Sequence, residues 1–296
     1  FFFLWGGGCP NFGVDFVAPR PQLNNMLRSI LLFAVIAVVG LFVFARYARR
    51  ASMFFPDRYP MGLWEIEDLP VAPRDHYFRT SDGLQLHGWL FPTAAQDNAP
   101  LIVWLHGNGG NITNRAEMAA EFARRGISVF VIDWRGYGRS EGRPTESGLY
   151  RDAVAAYNYA TAKLGAKPDS IVMYGESLGG PYAAYVAKNR KVRAVVIENS
   201  FPSLAALGNA IYAPIPIGWT APRAMRTTEW LNEAGVPVLV LHGRRDQVIP
   251  FSLGQQLYEG LTGPKQMFVS ETATHSEIPS AEGDRYYSTV AAFVGR

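Results

Sequence analysis

The sequence predicts an α/β fold, a mostly parallel, eight-stranded sheet with helices on both faces, a small cap insertion and one apolar helix ahead of it. Three observations carry this prediction. Beyond residue 100, short apolar runs alternate with helical stretches, the pattern of strands buried on both faces and joined by crossover helices. A Gly-x-Ser-x-Gly turn, Gly175-Glu176-Ser177-Leu178-Gly179, falls between one such run and a helix. Ile30 to Ala45 contains only apolar residues and glycine.

Composition narrows the function classes. A chain of 296 residues, 48% hydrophobic and 13% aromatic, can bury one large core. Its single cysteine, Cys9, excludes an intrachain disulfide framework and a thiolate metal site. The histidines (His76, His87, His106, His242 and His275) lack His-x-His or His-x-x-x-His spacing, which argues against a metal centre. The net charge of +3 is unevenly spread: residues 1–58 hold six arginines and two aspartates, whereas the remainder is close to balance. The basic excess therefore flanks the apolar segment, where it suits lipid headgroups, and does not indicate nucleic acid.

Residues 1–25 are rich in Phe and Gly without period. They are expected to be a disordered tail or to lie outside the natural chain, with Met26 as its start. Residues 26–46 are expected to span a bilayer: Ile30–Ala45 with Leu27, Arg28 and Ser29 reaches the length of a short span, and Arg28 can snorkel. A cleaved signal peptide fits less well, because Arg46, Arg49 and Arg50 stand where cleavage should occur. These arginines lean towards a cytoplasmic C-terminal domain. Residues 47–74, with Tyr47, Phe54, Phe55, Tyr59 and Trp64, read as an interfacial, Pro-marked linker.

The folded domain is expected over 75–296. Asp75–Thr80 and Leu84–Phe91 flank Ser81-Asp82-Gly83, a hairpin signal. Six further strands are expected at Leu101–Leu105, Ile127–Ile132, Ile171–Tyr174, Val192–Ile197, Val236–Leu241 and Gln266–Val269. Helices are expected at Arg115–Arg125, Leu149–Leu164, Leu178–Ala187, Ser252–Leu261 and Asp284–Val294. Phe201–Leu231 breaks this rhythm with several prolines and no clean period, and reads as a cap or as a packed crossover.

The chemistry centres on Ser177. A strand, a tight turn and a helix with serine at the apex form a nucleophile elbow. Side chains at Gly175 or Gly179 would collide with the adjoining strand and helix, and the helix start leaves the Leu178 N–H available to a developing oxyanion. A serine hydroxyl needs a base and an orienting carboxylate. His275, just past the last strand, is the candidate base, with His242 as its rival. Asp246, after the penultimate strand, is the candidate acid, with Glu198 as its rival. The loop His106-Gly107-Asn108-Gly109-Gly110-Asn111 follows the Leu101–Leu105 strand, and its Asn108 N–H is the candidate second oxyanion donor. No Gly-Lys-Ser/Thr follows, so a phosphate cradle is disfavoured. Asp133-Trp134-Arg135-Gly136-Tyr137-Gly138-Arg139-Ser140 reads as a loop held by Asp133 and Arg135.

Taken together, the 106–111 and 133–140 loops, Gly175–Gly179, Glu198-Asn199-Ser200-Phe201 and Gly243-Arg244-Arg245-Asp246 resemble the α/β-hydrolase superfamily. More narrowly, residues 50–296 resemble its single-pass, bud-emergence-type branch. The resemblance implies a serine hydrolase acting on esters or thioesters without a cofactor, with Ser177 as nucleophile, Asp246 as acid and His275 as base. The branch commonly has Gly before the catalytic His, whereas Ala273-Thr274 precede it here. A peptidase of prolyl-oligopeptidase type, or an inactive membrane-tethered interaction protein on the same scaffold, are the alternatives. The first lacks its propeller region here, and the second predicts a missing triad member.

Overall fold

The computed structural model describes residues 13, 21–51, 54–94, 99–215, 217–220 and 223–295. It falls into two compact units, 1–52 and 53–296. Of the sequence expectations, the disordered tail over 1–25 lies outside the described residues for 1–12 and 14–20, and is corrected for 21–25, which are helical. In the first unit, Pro21–Ala51 forms one helix, α1, and its described side chains, 25–40, are all exposed. Among the described residues no helix is long and apolar enough to cross a membrane. The side chains of 41–45, the last part of the apolar run, are outside them.

The second unit is built on one eight-stranded sheet. Its strands are β1 (Arg74–Arg79), β2 (Gln85–Phe91), β3 (Leu101–Leu105), β4 (Ser128–Ile132), β5 (Ile171–Glu176), β6 (Ala194–Glu198), β7 (Val238–Gly243) and β8 (Lys265–Ser270). Their spatial order is β8-β7-β6-β5-β3-β4-β2-β1. Only the β1–β2 and β2–β4 pairs are antiparallel; the others run parallel. The central strands read as unbroken apolar runs because both faces are covered. Along β3, Leu101, Val103 and Leu105 join one core layer, and Ile102 and Trp104 the other. The first layer meets α3 (Glu146–Ala162), α4 (Gly179–Asn189), α6 (Thr227–Ala234) and α7 (Phe251–Gly260). The second meets α2 (Ala116–Arg124) and α9 (Asp284–Val294).

Several boundaries differ from those read off the sequence, for local reasons. The helix expected from Arg115 is preceded by a 3-10 turn, Ile112–Arg115, capped by the Asn111 side chain accepting from Thr113 N. The helix expected from Leu149 starts at Glu146, where Thr145 Oγ1 accepts from Gly148 N. A glycine in the first turn hid that start. A short helix, α8 (Ile278–Glu282), lies before α9, where the sequence predicts no element.

The stretch read as a linker up to residue 74 is stitched onto the domain from Phe54 onward. Phe55-Pro56 pairs in parallel with Gly109-Gly110. The Tyr59 N–H donates to Gly138 O and the Gly138 N–H to Asp57 O, each at 2.9 Å. Trp64, Ile66, Leu69 and Val71 pack against the core, and the Arg139 guanidinium lies 4.5 Å over the Trp64 ring. Prolines and the lack of period conceal such a segment, because the contacts that join it to the domain are with residues distant in sequence. Phe55, Tyr59, Met61 and Leu63 remain exposed.

The interval Phe201–Leu231 has two parts. Its end, α6, buries Thr227, Trp230 and Leu231 and packs as an ordinary crossover helix. Its beginning, α5 (Leu204–Ile211) and the turn Ile217–Thr220, is only partly covered, with Ile211, Tyr212, Ile215 and Trp219 exposed.

Candidate active site

The site lies at the carboxyl ends of β3, β5, β6, β7 and β8. β5 runs into Ser177, which adopts φ 51, a left-handed conformation that costs a non-glycine residue of order 1–3 kcal/mol. The flanking glycines make that turn possible. A Cβ on Gly175 would lie 2.6 Å from Gly180 Cα, and one on Gly179 1.9 Å from the Leu105 carbonyl oxygen. The elbow thus abuts the end of β3 on one side and the start of α4 on the other.

The residues singled out as nucleophile, base and acid come together. His275 Nε2 is 2.9 Å from Ser177 Oγ, and His275 Nδ1 is 2.7 Å from Asp246 Oδ2. The carboxylate fixes the tautomer: Nδ1–H donates to Asp246, leaving the Nε2 lone pair to accept the serine proton. Asp246 Oδ1 accepts the N–H groups of Val248 and Ile249, each at 2.8 Å. Burial pushes the Asp246 carboxyl up, but hydrogen bonds from His242 and His275 and the positive charge available to His275 outweigh it. Its pKa lies well below the ordinary carboxylate range, so it is charged at neutral pH.

The two rivals sit elsewhere in the hydrogen-bond network. His242 is fully buried and its Nε2–H donates to Ile249 O at 3.0 Å, 3.5 Å from Asp246 Oδ2. It props the acid loop from behind. Glu198 faces Tyr174 and Tyr286: the Tyr174 hydroxyl donates to Oε2, as does the Tyr286 hydroxyl at 3.0 Å. Burial, helped by the nearby Glu176 carboxylate, pushes Glu198 up to about 7.

The 106–111 loop runs beside the nucleophile. A Cβ on Gly107 would lie 3.3 Å from Ser177 Cβ. Asn108 is held by its carbonyl and side-chain oxygens, which accept from the Tyr137 hydroxyl at 2.9 and 3.1 Å, while Oδ1 also accepts from Phe55 N at 3.2 Å. His106 is buried, and burial and the Arg115 charge lower its pKa to about 4, so it is neutral and its Nδ1–H donates to Gly107 O at 2.7 Å. The 133–140 loop is held as expected: Asp133 accepts Ile112 N at 3.0 Å, and Arg135 forms ion pairs with Asp152 at 2.7 Å and Asp82 at 2.9 Å.

Two features escaped the sequence. Arg115 pairs with Glu176, the residue before the nucleophile, through Nε at 3.0 Å and Nη2 at 2.6 Å, and its Nη1 donates to Gly109 O at 3.1 Å. Asn199, after β6, bonds both the acid-bearing and the base-bearing loops. A charge inside the apolar elbow was the available signal for Glu176; for Asn199 there was none beyond its place in the quoted motif. Among the described residues no cluster of His, Cys, Asp and Glu could hold a metal ion. Two hollows, of about 650 and 520 Å³, lie away from Ser177; the first is lined by Val192, Arg193, Pro237 and Lys265 at the amino ends of the strands.

Comparison with known proteins places this arrangement. The family described as the alpha/beta hydrolase fold matches residues 100–228. An uncharacterized protein of Mycobacterium tuberculosis, Rv2307c, is 30% identical over 269 residues, 90% of this chain and 95% of that protein. Protein bem46 of Schizosaccharomyces pombe is 28% identical over 292 residues, 92% of this chain and 96% of its own. Among solved structures, the Pyrococcus furiosus esterase Pf2001 superposes with a TM-score of 0.66 at 21% identity, covering 82% of this chain and 97% of the esterase. The sheet order, the elbow at its centre and this similarity over nearly the whole chain agree, and the protein belongs to the α/β-hydrolase superfamily, where it is similar to the bem46-type branch.

Proposed function

We propose that the protein is a membrane-anchored serine hydrolase that cleaves carboxylic esters or thioesters by acyl transfer. The observation that carries this reading is the unbroken chain of hydrogen bonds from Ser177 Oγ through the His275 imidazole to Asp246. His275 Nε2 takes the Ser177 proton as Oγ attacks the carbonyl carbon. The Asn108 and Leu178 N–H groups receive the oxyanion. The tetrahedral adduct collapses, the carbonyl–heteroatom bond breaks, and His275 gives its proton to the departing alcohol or thiol. Water, deprotonated by the same imidazole, then attacks the acyl-enzyme and releases the acid. Asp246 holds the ring in register and steadies the imidazolium. Serine, where an epoxide hydrolase or dehalogenase would need aspartate, fits acyl transfer. No cofactor enters any step. The exposed apolar side chains of 211–219 suit an acyl chain.

The test is a fluorophosphonate probe on the full-length protein. Wild type is labelled and hydrolyses p-nitrophenyl esters in preference to aminoacyl-proline amides. Unchanged labelling of Ser177→Ala removes the reading. A series of acyl esters and acyl-CoAs of graded length then defines the substrate class.

The anchor and its orientation rest on the sixteen apolar or glycine residues 30–45 and on the arginines behind them. The full chain should stay with membranes after alkaline carbonate extraction, and Val38→Lys together with Val39→Lys should release it. Protease protection of a C-terminal tag in closed vesicles reports the side on which the domain lies, expected to be cytoplasmic.

A further inference from the structure

Three successive residues, the last of β6 and the two that follow it, reach all three parts of the site, although none is a triad member. We propose that Glu198-Asn199-Ser200 sets the triad geometry and that Asn199 is a positioning residue coupling the acid-bearing loop to the base-bearing loop. This rests on the reading of Ser177, His275 and Asp246 given above.

The outer two residues of the tripeptide hold the nucleophile's backbone. The Ser177 N–H donates to Glu198 O at 2.8 Å. The Ser200 hydroxyl donates to Ser177 O at 2.7 Å. Both polar backbone groups of the strained residue are therefore taken up by β6 and its extension. That is how a conformation at φ 51 persists.

Asn199 between them faces the other way. It is fully buried. Its backbone N–H donates to Leu241 O at 2.9 Å, extending the ladder to β7. Its carboxamide then bridges two loops. Nδ2 donates to the His275 carbonyl at 2.5 Å, and Oδ1 accepts the Gly243 N–H at 2.9 Å. Gly243 in turn accepts from Asp246 N at 3.2 Å through its carbonyl. One side chain thus ties the backbone of the base to the turn that carries the acid. The partners fix the orientation of the amide, since a carbonyl can only accept and a backbone N–H can only donate.

The residue type follows from the geometry. Asn199 has φ 46, where asparagine is better tolerated than other non-glycine residues. Aspartate keeps the acceptor but turns a carboxylate oxygen towards the His275 carbonyl. Glycine keeps the backbone conformation and loses both bonds. A general-base hydrogen bond is sensitive to displacement: shifts of about 1 Å cost on the order of a hundredfold in rate. Cutting the tie should therefore reach catalysis without touching substrate contacts.

The experiment uses the full-length protein with Asn199→Gly, Asn199→Asp and Ser177→Ala in parallel. It measures kcat and KM on a p-nitrophenyl ester, the rate of fluorophosphonate labelling, and the thermal midpoint. Activity is normalised to molecules folded at the assay temperature. Asn199→Gly is expected to lower kcat by about tenfold or more with KM within about twofold, and to slow labelling in parallel. Asn199→Asp, nearly isosteric, is expected to fall at least as far, which guards against loss of fold as the cause. Wild-type kcat per folded molecule in both variants, with only a lower midpoint, overturns the positioning role. Persistent labelling of Ser177→Ala instead overturns the triad reading itself, and this proposal with it.

Discussion

Arg115 clasps Glu176 through two hydrogen bonds, from Nε at 3.0 Å and Nη2 at 2.6 Å, one residue before Ser177. The same guanidinium donates to the carbonyls of Gly109 at 3.1 Å and Asn111 at 3.3 Å. The loop after β3 and the elbow after β5 are joined by one charged side chain. Burial opposes ionisation of Glu176, yet the Arg115 charge prevails and its pKa lies below the ordinary value. Removing one partner leaves a buried charge without its counter-ion, which costs about 3–5 kcal/mol. Arg115→Met is expected to lower the thermal midpoint by about 6–20 °C at this domain size. Adding Glu176→Leu should restore a large part of the loss. A double variant no more stable than Arg115→Met would contradict the pairing account.

Asp246 is charged and aligned on His275, so a neutral isostere keeps shape and loses function. Asp246→Asn is expected to reduce kcat on an ester substrate by about 10³–10⁴-fold. KM should change little. Glu198→Gln, at the rival carboxylate, is expected to retain activity within about tenfold, since that side chain bonds tyrosines and not the imidazole. Steady-state kinetics on the two variants separates the acids.

Glu198 makes stability depend on pH. In the folded chain its carboxyl is held up to about 7, against an ordinary value of 4.5. The unfolded chain therefore loses the proton first as pH rises. Stability is full below about pH 4.5 and declines towards pH 7 by on the order of 3 kcal/mol from this group. Glu198→Gln should flatten that part of the curve. Urea denaturation of both proteins across the window measures it, and parallel curves would refute the assignment.

Gly179 and Gly109 form a matched pair. An added Cβ at Gly179 would lie 1.9 Å from the Leu105 carbonyl oxygen, at the carboxyl end of β3, whereas at Gly109 nothing lies within 4 Å. Gly179→Ala is expected to cost more than about 4 kcal/mol and to abolish soluble expression or labelling. Gly109→Ala should remain within about 1 kcal/mol of wild type. Comparing the two by circular dichroism melts tests the backbone contact directly.

Trp219 is 73% exposed. Trp219→Ala is expected to leave the thermal midpoint almost unchanged, within about 0.5 kcal/mol. If the 211–219 surface receives the acyl chain, the same variant lowers kcat/KM for long-chain esters relative to acetate esters. An unaltered chain-length profile would remove that role.

The strands were readable because each central one is buried on both faces, so its residues from Leu101 to Leu105 had to be apolar throughout. The elbow was readable because its glycines answer a local demand, the meeting of β5, α4 and β3 within a few ångströms. Ser177, Asp246 and His275 could be proposed as a triad because acyl transfer requires those residue types in that chain order at strand ends, and the fold brings them within hydrogen-bond reach of one another. The spatial order of the strands was another matter, as was the packing of residues 54–72 against the core. So were the division of 201–231 into a buried crossover and an exposed rim, the Arg115–Glu176 pair and the carboxamide of Asn199. Each depends on groups brought together from distant parts of the chain, 61 residues apart for Arg115 and Glu176 and 76 for Asn199 and His275. Local periodicity and residue type determine which elements form and which side chains can react. Which polar groups hold those side chains in place is decided only when the sheet closes its order and brings buried N–H groups, carbonyls and charges from distant segments within reach of one another.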